Sequence, residues 1–94
     1  MDSLPIGKIP LANHSLDEIE IWLRLIGAER NKNNRALWLL IKPLWTAKIK
    51  VAKDGLEVIW SKDQKESQMI FCSYGLARND IEEVILHGPK IREG

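Results

Sequence analysis

The 94-residue sequence is poor in the residues that carry most enzyme chemistry, since it has one cysteine, Cys72, and two histidines, His14 and His87. A zinc site needs three or four ligands, and one cysteine with two distant histidines does not provide them. The sequence also lacks a glycine-rich phosphate loop. We therefore expect no catalytic residues, no cofactor and no metal ion.

Each of these three residues also has a structural explanation. His14 precedes the first predicted helix, where its ring can pack on Ile19 or bond a free amide. His87 lies in the last turn of the second predicted helix, where the helix dipole favours a cation. Cys72 lies near Ile70 on a predicted strand and behaves as a small hydrophobic residue. The sequence therefore predicts a protein that is not an enzyme.

The single cysteine and the short apolar runs also bear on location. One cysteine excludes an internal disulfide and is typical of a reducing compartment. The longest apolar run, residues 36–41, is far shorter than the ~18 residues of a membrane-spanning helix. The first five residues show no secretory signal. We expect a soluble, cytoplasmic protein that does not span a membrane.

The composition is that of a folded protein with unevenly distributed charge. Hydrophobic residues make up 45% and charged residues 29% of the chain, which is close to the globular average. A chain of this length predicts a single domain, residues 1–94. The net charge of +1 divides into −2 for residues 1–30, +5 for residues 31–62 and −2 for residues 63–94. The middle of the chain is therefore basic and its flanks are acidic.

The middle of the chain predicts an antiparallel sheet over residues 36–73. Residues 36–41 are an apolar run, whereas residues 46–51 and 56–61 alternate between apolar and polar, which is typical of half-buried strands. Residues 62–67 predict a charged turn, and residues 68–73 a fourth strand. The sheet therefore has three or four strands, one face of which needs a cover.

Two helices flank the predicted sheet. Residues 1–14 predict an extended lead-in. Ser15 and Glu18 have the spacing of a capping box and Gly27 suits a left-handed C-terminal position, which together predict a helix over residues 15–27. The second helix is predicted over residues 79–87, capped by Asn79. The order of elements predicts an α+β fold, a two-layer sandwich built as helix, three or four antiparallel strands, helix.

The first strand is apolar on both faces, so its orientation is open. Trp38 lies on the face opposite to Leu37 and Leu39. If the helices cover the Leu37 face, Trp38 lies on the open face beside Lys48 or Lys50, where an indole can stack on a base or anchor a protein. The alternative is that lysine stems or the lead-in cover Trp38. Two other tryptophans are expected in the core: Trp22 and Trp60.

The basic sheet also allows a nucleic-acid interpretation, with a phosphate-facing set of Arg35, Lys42, Lys48, Lys50 and Lys53. The element order is similar to that of the double-stranded-RNA-binding domain. That domain has lysines at the start of its second helix, whereas acidic residues stand there in this chain: Asp80, Glu82 and Glu83. We therefore reject that assignment and keep nucleic-acid binding by the open face as an alternative.

Several short motifs are spread between residues 9 and 89: Ile9-Pro-Leu-Ala-Asn13-His14-Ser-Leu, Glu20-Ile-Trp22-Leu, Gly27-Ala28, Trp38, Trp45-Thr-Ala47, Tyr74-Gly-Leu, Arg78-Asn-Asp80-Ile-Glu82 and Gly88-Pro89. Their combination resembles a small cyanobacterial and plastid family of unknown function. The resemblance implies a photosynthetic host and no assigned activity. The family usually has serine at the position of Ala77, so the start of the last helix departs from its pattern.

These observations predict a non-catalytic interaction module of photosynthetic, cyanobacterial-type cells. We expect it to dock a protein partner with an acidic surface through a basic, tryptophan-bearing sheet face. The predicted partner-binding residues are Trp38, Trp45, Lys48, Lys50 and Arg78. The alternatives are RNA or DNA binding by the same face, and an enzyme whose site is completed by another chain.

Overall fold

The computed structural model describes residues 8–63 and 65–89, so residues 1–7 of the predicted lead-in lie outside it. Its elements are, in order, a 3-10 helix Leu11–Asn13, α1 Leu16–Leu25, β1 Glu29–Arg30, β2 Leu37–Ile41, β3 Thr46–Val51, β4 Gly55–Lys62, β5 Lys65–Ser73 and α2 Arg78–His87. The strands form one antiparallel sheet in the order β1-β2-β3-β4-β5. The predicted α+β class, with a helix at each end, is confirmed. The two-layer packing stays a prediction.

The start of α1 is fixed by the predicted capping box. The Ser15 N–H donates to Glu18 Oε1 at 2.7 Å, and the Glu18 N–H donates to Ser15 Oγ at 3.1 Å. The same Ser15 N–H lowers the pKa of the Glu18 carboxyl, because it stabilises the charged form. Gly27 follows the helix with a φ of 102°, a conformation that favours glycine. Of the described helices, none is long and apolar enough to cross a membrane.

One face of the sheet is buried. Cross-strand neighbours on this face form two rows: Trp38, Ile49, Val58 and Ile70, and Leu40, Ala47, Trp60 and Gln68. Both helices contribute to the same core cluster, with Ile19, Trp22 and Leu23 from α1 and Ile81 and Ile85 from α2. The predicted inward positions of the second and third strands are therefore confirmed.

The buried side of β2 is the side that carries Trp38. Trp38 and Leu40 are 0% and 1% exposed, whereas Leu39 and Ile41 lie on the opposite face and are exposed. The expectation that Trp38 lies on the open face is therefore wrong, and Trp38 is a core residue. Because β2 is apolar on both faces, its sequence pattern does not show which face is buried. Burial of the larger apolar surface, that of the indole, decides the orientation.

The start of α2 also differs from the prediction. Its first residue is Arg78, and its N-cap, Ala77, makes no side-chain hydrogen bond, so the predicted cap at Asn79 is wrong. The lead-in supplies backbone partners instead: the Arg78 N–H donates to the Ile9 carbonyl at 3.3 Å, and Pro10 forms a β-bridge with Ala77. Because the partner comes from a distant segment, a local capping motif does not determine this boundary.

The sheet is larger than predicted at both edges. β1 is an additional strand of two exposed, charged residues, and it is too short to show the alternation of apolar and polar residues that predicts a strand. β5 begins at Lys65, so the prediction of a turn over residues 62–67 is wrong for most of that stretch. Asp63 follows β4 with a φ of 54°, which aspartate tolerates better than most residues.

Gly55 is required where β4 begins beside β5. An added methyl group would overlap the Cys72 carbonyl oxygen and lie 2.7 Å from the Phe71 ring. We expect Gly55→Ala to lower the free energy of unfolding by about 1–3 kcal/mol, as overpacking does. Gly75→Ala is the control, since its methyl group would meet only Ser73 Oγ, at 3.5 Å. Urea denaturation followed by tryptophan fluorescence measures both, and equal losses would contradict the steric explanation.

Candidate functional site

The open face of the sheet carries a pair of lysines on its central strand. Lys48 and Lys50 of β3 are both exposed, and two residues of strand place their Cα atoms about 6.5 Å apart. Lys50 stands opposite Glu57, whereas Lys48 stands between Leu39 and Ile59. The charge of Lys50 therefore has an acidic neighbour across the strands, and the cross-strand neighbours of Lys48 are apolar.

Exposed apolar side chains flank this pair. Leu39 and Ile41 on β2 and Met69 and Phe71 on β5 are between 40% and 67% exposed. Such side chains on one face of a small protein are typical of an interaction surface. We define the open face as the following residues: Leu39, Ile41, Lys48, Lys50, Glu57, Ile59, Met69 and Phe71.

Trp38 does not belong to this surface. Its ring is fully buried, and the Arg24 guanidinium carbon lies 5.3 Å from the ring centroid, within cation–π range. The Trp38 Nε1 atom is buried and has no hydrogen-bond acceptor among the described residues. The indole therefore has a structural role, and it cannot stack on a ligand at the open face.

Trp45 and Arg78 lie apart from the lysine pair. Trp45 is half-buried and packs on the core, and its ring fills the space beside Gly88 that a side chain there would need. Trp45 therefore holds the C-terminal end of α2. Arg78 is half-buried where the lead-in meets α2, and its Nε atom has no hydrogen-bond partner in the described part of the chain. Of the five predicted binding residues, the structure places Lys48 and Lys50 side by side.

The three residues considered for catalysis differ in their exposure. His14 is buried and its Nδ1 lies 3.2 Å from the Pro10 carbonyl oxygen. Since a carbonyl only accepts, Nδ1 carries the proton. Cys72 is buried, and burial raises the pKa of its thiol. His87 is exposed in the last turn of α2. Within residues 8–63 and 65–89, no group of three or more histidine, cysteine or carboxylate side chains is arranged to hold a metal ion.

A groove between β5 and α2 is the feature that the sequence did not indicate. It encloses about 670 Å³. Its apolar lining comes from both elements and from β4, and includes Trp60, Ile70, Val84 and Leu86. The spacing of Ile81, Val84 and Ile85 predicts one buried stripe along the helix, but Val84 is 42% exposed. The exposure of Val84 follows from the placement of α2 over the sheet, which no local pattern encodes.

Comparison with known proteins identifies a family for most of the chain. Residues 26–88 match a family described as "Protein of unknown function (DUF3143)". No curated protein and no solved structure matches the chain. The expected resemblance to a family without an assigned activity is confirmed over these residues.

The position of Cys72 predicts a protected thiol. We expect the native chain to react with a disulfide reagent roughly a hundredfold more slowly than the chain unfolded in concentrated urea, since burial and a raised pKa both reduce access to the thiolate. Absorbance of the released thiol at mildly alkaline pH measures both rates. Equal rates would show that Cys72 is accessible and would make it a candidate nucleophile.

Proposed function

Since the chain belongs to the DUF3143 family of proteins of unknown function, we propose from its surface that it is a non-catalytic module which docks a protein. The open face is the docking surface, and the partner presents an acidic, partly apolar surface. The resemblance described above supports a photosynthetic, cyanobacterial-type cell as the host. A cytoplasmic location is part of the same proposal, supported by the single, buried cysteine.

The observation that carries this proposal is that Lys48 and Lys50 share one face of the sheet with the exposed apolar side chains Leu39, Ile41, Met69 and Phe71. Burial of the apolar residues favours association, because it removes their surface from water. The lysines add electrostatic steering and select partners that carry carboxylates. A purely basic surface would lack the contribution of apolar burial, and a purely apolar surface would lack electrostatic steering.

Nucleic-acid binding by the same face is the second candidate. Phe71 is exposed in the cross-strand row of Lys50 and Glu57 and offers a ring for base stacking. The exposed apolar side chains of the open face favour the protein partner over it, because a phosphate backbone gains little from contact with them. Trp38, the aromatic residue first considered for stacking, is buried.

A charge reversal on the open face tests the proposal. The chain, tagged and immobilised, captures partners from a photosynthetic host lysate with and without nuclease treatment. We expect the wild type to retain an acidic protein after nuclease treatment, and the double variant Lys48→Glu/Lys50→Glu to bind it at least tenfold more weakly. The matched control is Lys53→Glu/Lys62→Glu, which changes the charge equally at exposed positions outside the open face.

Three outcomes separate the candidates. Loss of binding in the open-face variant alone, with unchanged circular dichroism, supports docking at Lys48 and Lys50. Equal weakening in both double variants shows that only net charge matters and contradicts the proposal. Capture that disappears with nuclease, and that weakens with salt by about one log–log unit per phosphate contact, assigns the open face to nucleic acid.

A further inference from the structure

β5 has an edge that is available for strand pairing. In the strand order it is the last strand, and within the described part of the chain it pairs only with β4. The Ala52 N–H donates to the Gly55 carbonyl at the β3–β4 turn. The Gly55 backbone therefore faces β3. Successive residues of a strand direct their N–H and C=O groups to alternate sides, so those of Leu56 and Val58 are directed toward β5.

The same alternation shows which groups of β5 point outward. Leu56 and Val58 stand opposite Cys72 and Ile70, so the backbone groups of these two β5 residues are directed toward β4. The N–H and C=O groups of Met69 point away from the sheet, and so do those of Phe71. These outward groups recur at every second residue, which is the spacing at which another extended segment would form hydrogen bonds with the edge.

The groove lies directly beside this edge. Ile70 of β5 forms one wall, and Val84 and Leu86 of α2, which are 42% and 40% exposed, form part of the other. In an added strand every second side chain would project toward the buried-face side of the sheet. Those side chains would enter the groove between β5 and α2.

The charge of the groove selects the segment. Its described lining carries two carboxylates, Glu82 and Glu83, with His87, and neither lysine nor arginine. Glu82 Oε1 accepts a hydrogen bond from Trp22 Nε1 at 2.8 Å, whereas Glu83 is exposed. A basic side chain beside an apolar one therefore complements this wall.

From these observations we propose that the groove between β5 and α2 binds an extended protein segment, which pairs with β5 as a sixth strand. On the side that faces the groove, the segment carries apolar residues and at least one lysine or arginine. Recognition combines main-chain hydrogen bonds with pockets for alternate side chains. A second copy of the chain would instead pair through its own β5, which carries Gln68, Ile70 and Cys72 on that side and Lys65 opposite Lys62; light scattering separates this occupant from a protein segment.

This site is separate from the open face of the proposed function. The groove lies on the buried-face side of β5, whereas Lys48 and Lys50 project from the other face of the sheet. The two proposals rest on different side chains, so each can fail alone.

The experiment selects peptides from a randomised twelve-residue phage library on the immobilised chain. We expect the enriched sequences to alternate, with apolar residues and a lysine or arginine at positions of the same parity. The most enriched peptide is synthesised with a fluorophore, and anisotropy gives its affinity for each variant. Val84→Arg, which places a cation in the groove at an exposed position, is expected to weaken binding at least tenfold. Leu44→Arg, at a 76% exposed position in the β2–β3 connection, is the matched control.

Amide hydrogen exchange by NMR tests the strand pairing itself. With peptide bound, we expect the exchange of the Met69 and Phe71 amides to slow at least tenfold, because both gain hydrogen-bond acceptors. The amide of Ile70 already faces β4 and serves as the internal reference. Unchanged exchange at Met69 and Phe71 would contradict strand addition.

The remaining outcomes are also decisive. No enrichment, or a peptide that binds Val84→Arg as tightly as the wild type, overturns the proposal. A dimer in light scattering that Val84→Arg dissociates assigns the groove to a second copy and overturns it as well. Lys48→Glu/Lys50→Glu is expected to bind the peptide like the wild type, which keeps this result distinct from the test of the open face.

Discussion

Burial of three indoles on one side of the sheet is the constraint on which the rest of the structure depends. Trp22, Trp38 and Trp60 are each at most 2% exposed and belong to one cluster. An indole removes more apolar surface from water than any other side chain, so these residues determine which face is buried. Two helices of ten residues each contribute to the core on that face. The face with Lys48 and Lys50 is therefore the one that stays exposed.

The hydrogen bond from Trp22 to Glu82 joins the two helices across 60 residues of sequence. It gives the indole N–H of a buried residue an acceptor and gives a groove-lining carboxylate a fixed position. Ile81 and Ile85 point into the core from the same helix, which directs Val84 outward. When Ile81 and Ile85 are buried, the other side of α2 forms an apolar and acidic wall beside β5. The groove therefore follows from the contacts that position α2 on the sheet.

Local patterns predicted the elements whose determinants are local. The alternation of β3 and β4 and the capping box at Ser15 all appear as predicted, because each depends on residues within one element. Sequence could not orient β2, which is apolar on both faces, or place the start of α2, which takes its partners from the lead-in. The exposure of Lys48 and Lys50 was predicted from the alternation of β3, which is a local pattern. The groove was not predicted, because its walls come from β5 and α2 and meet only in the tertiary structure.

The uneven distribution of charge along the sequence becomes a separation of charge in space. The basic stretch, residues 31–62, supplies the lysines of the open face, and the acidic stretch, residues 63–94, supplies the carboxylates of the groove. Under the two proposals, an acidic partner would bind the open face and a basic segment would bind the groove. Lys48 and Lys50 project from one face of the sheet, and the groove lies on the other. Together, the two proposals would make the chain a link between two proteins, a role that neither surface would fill alone.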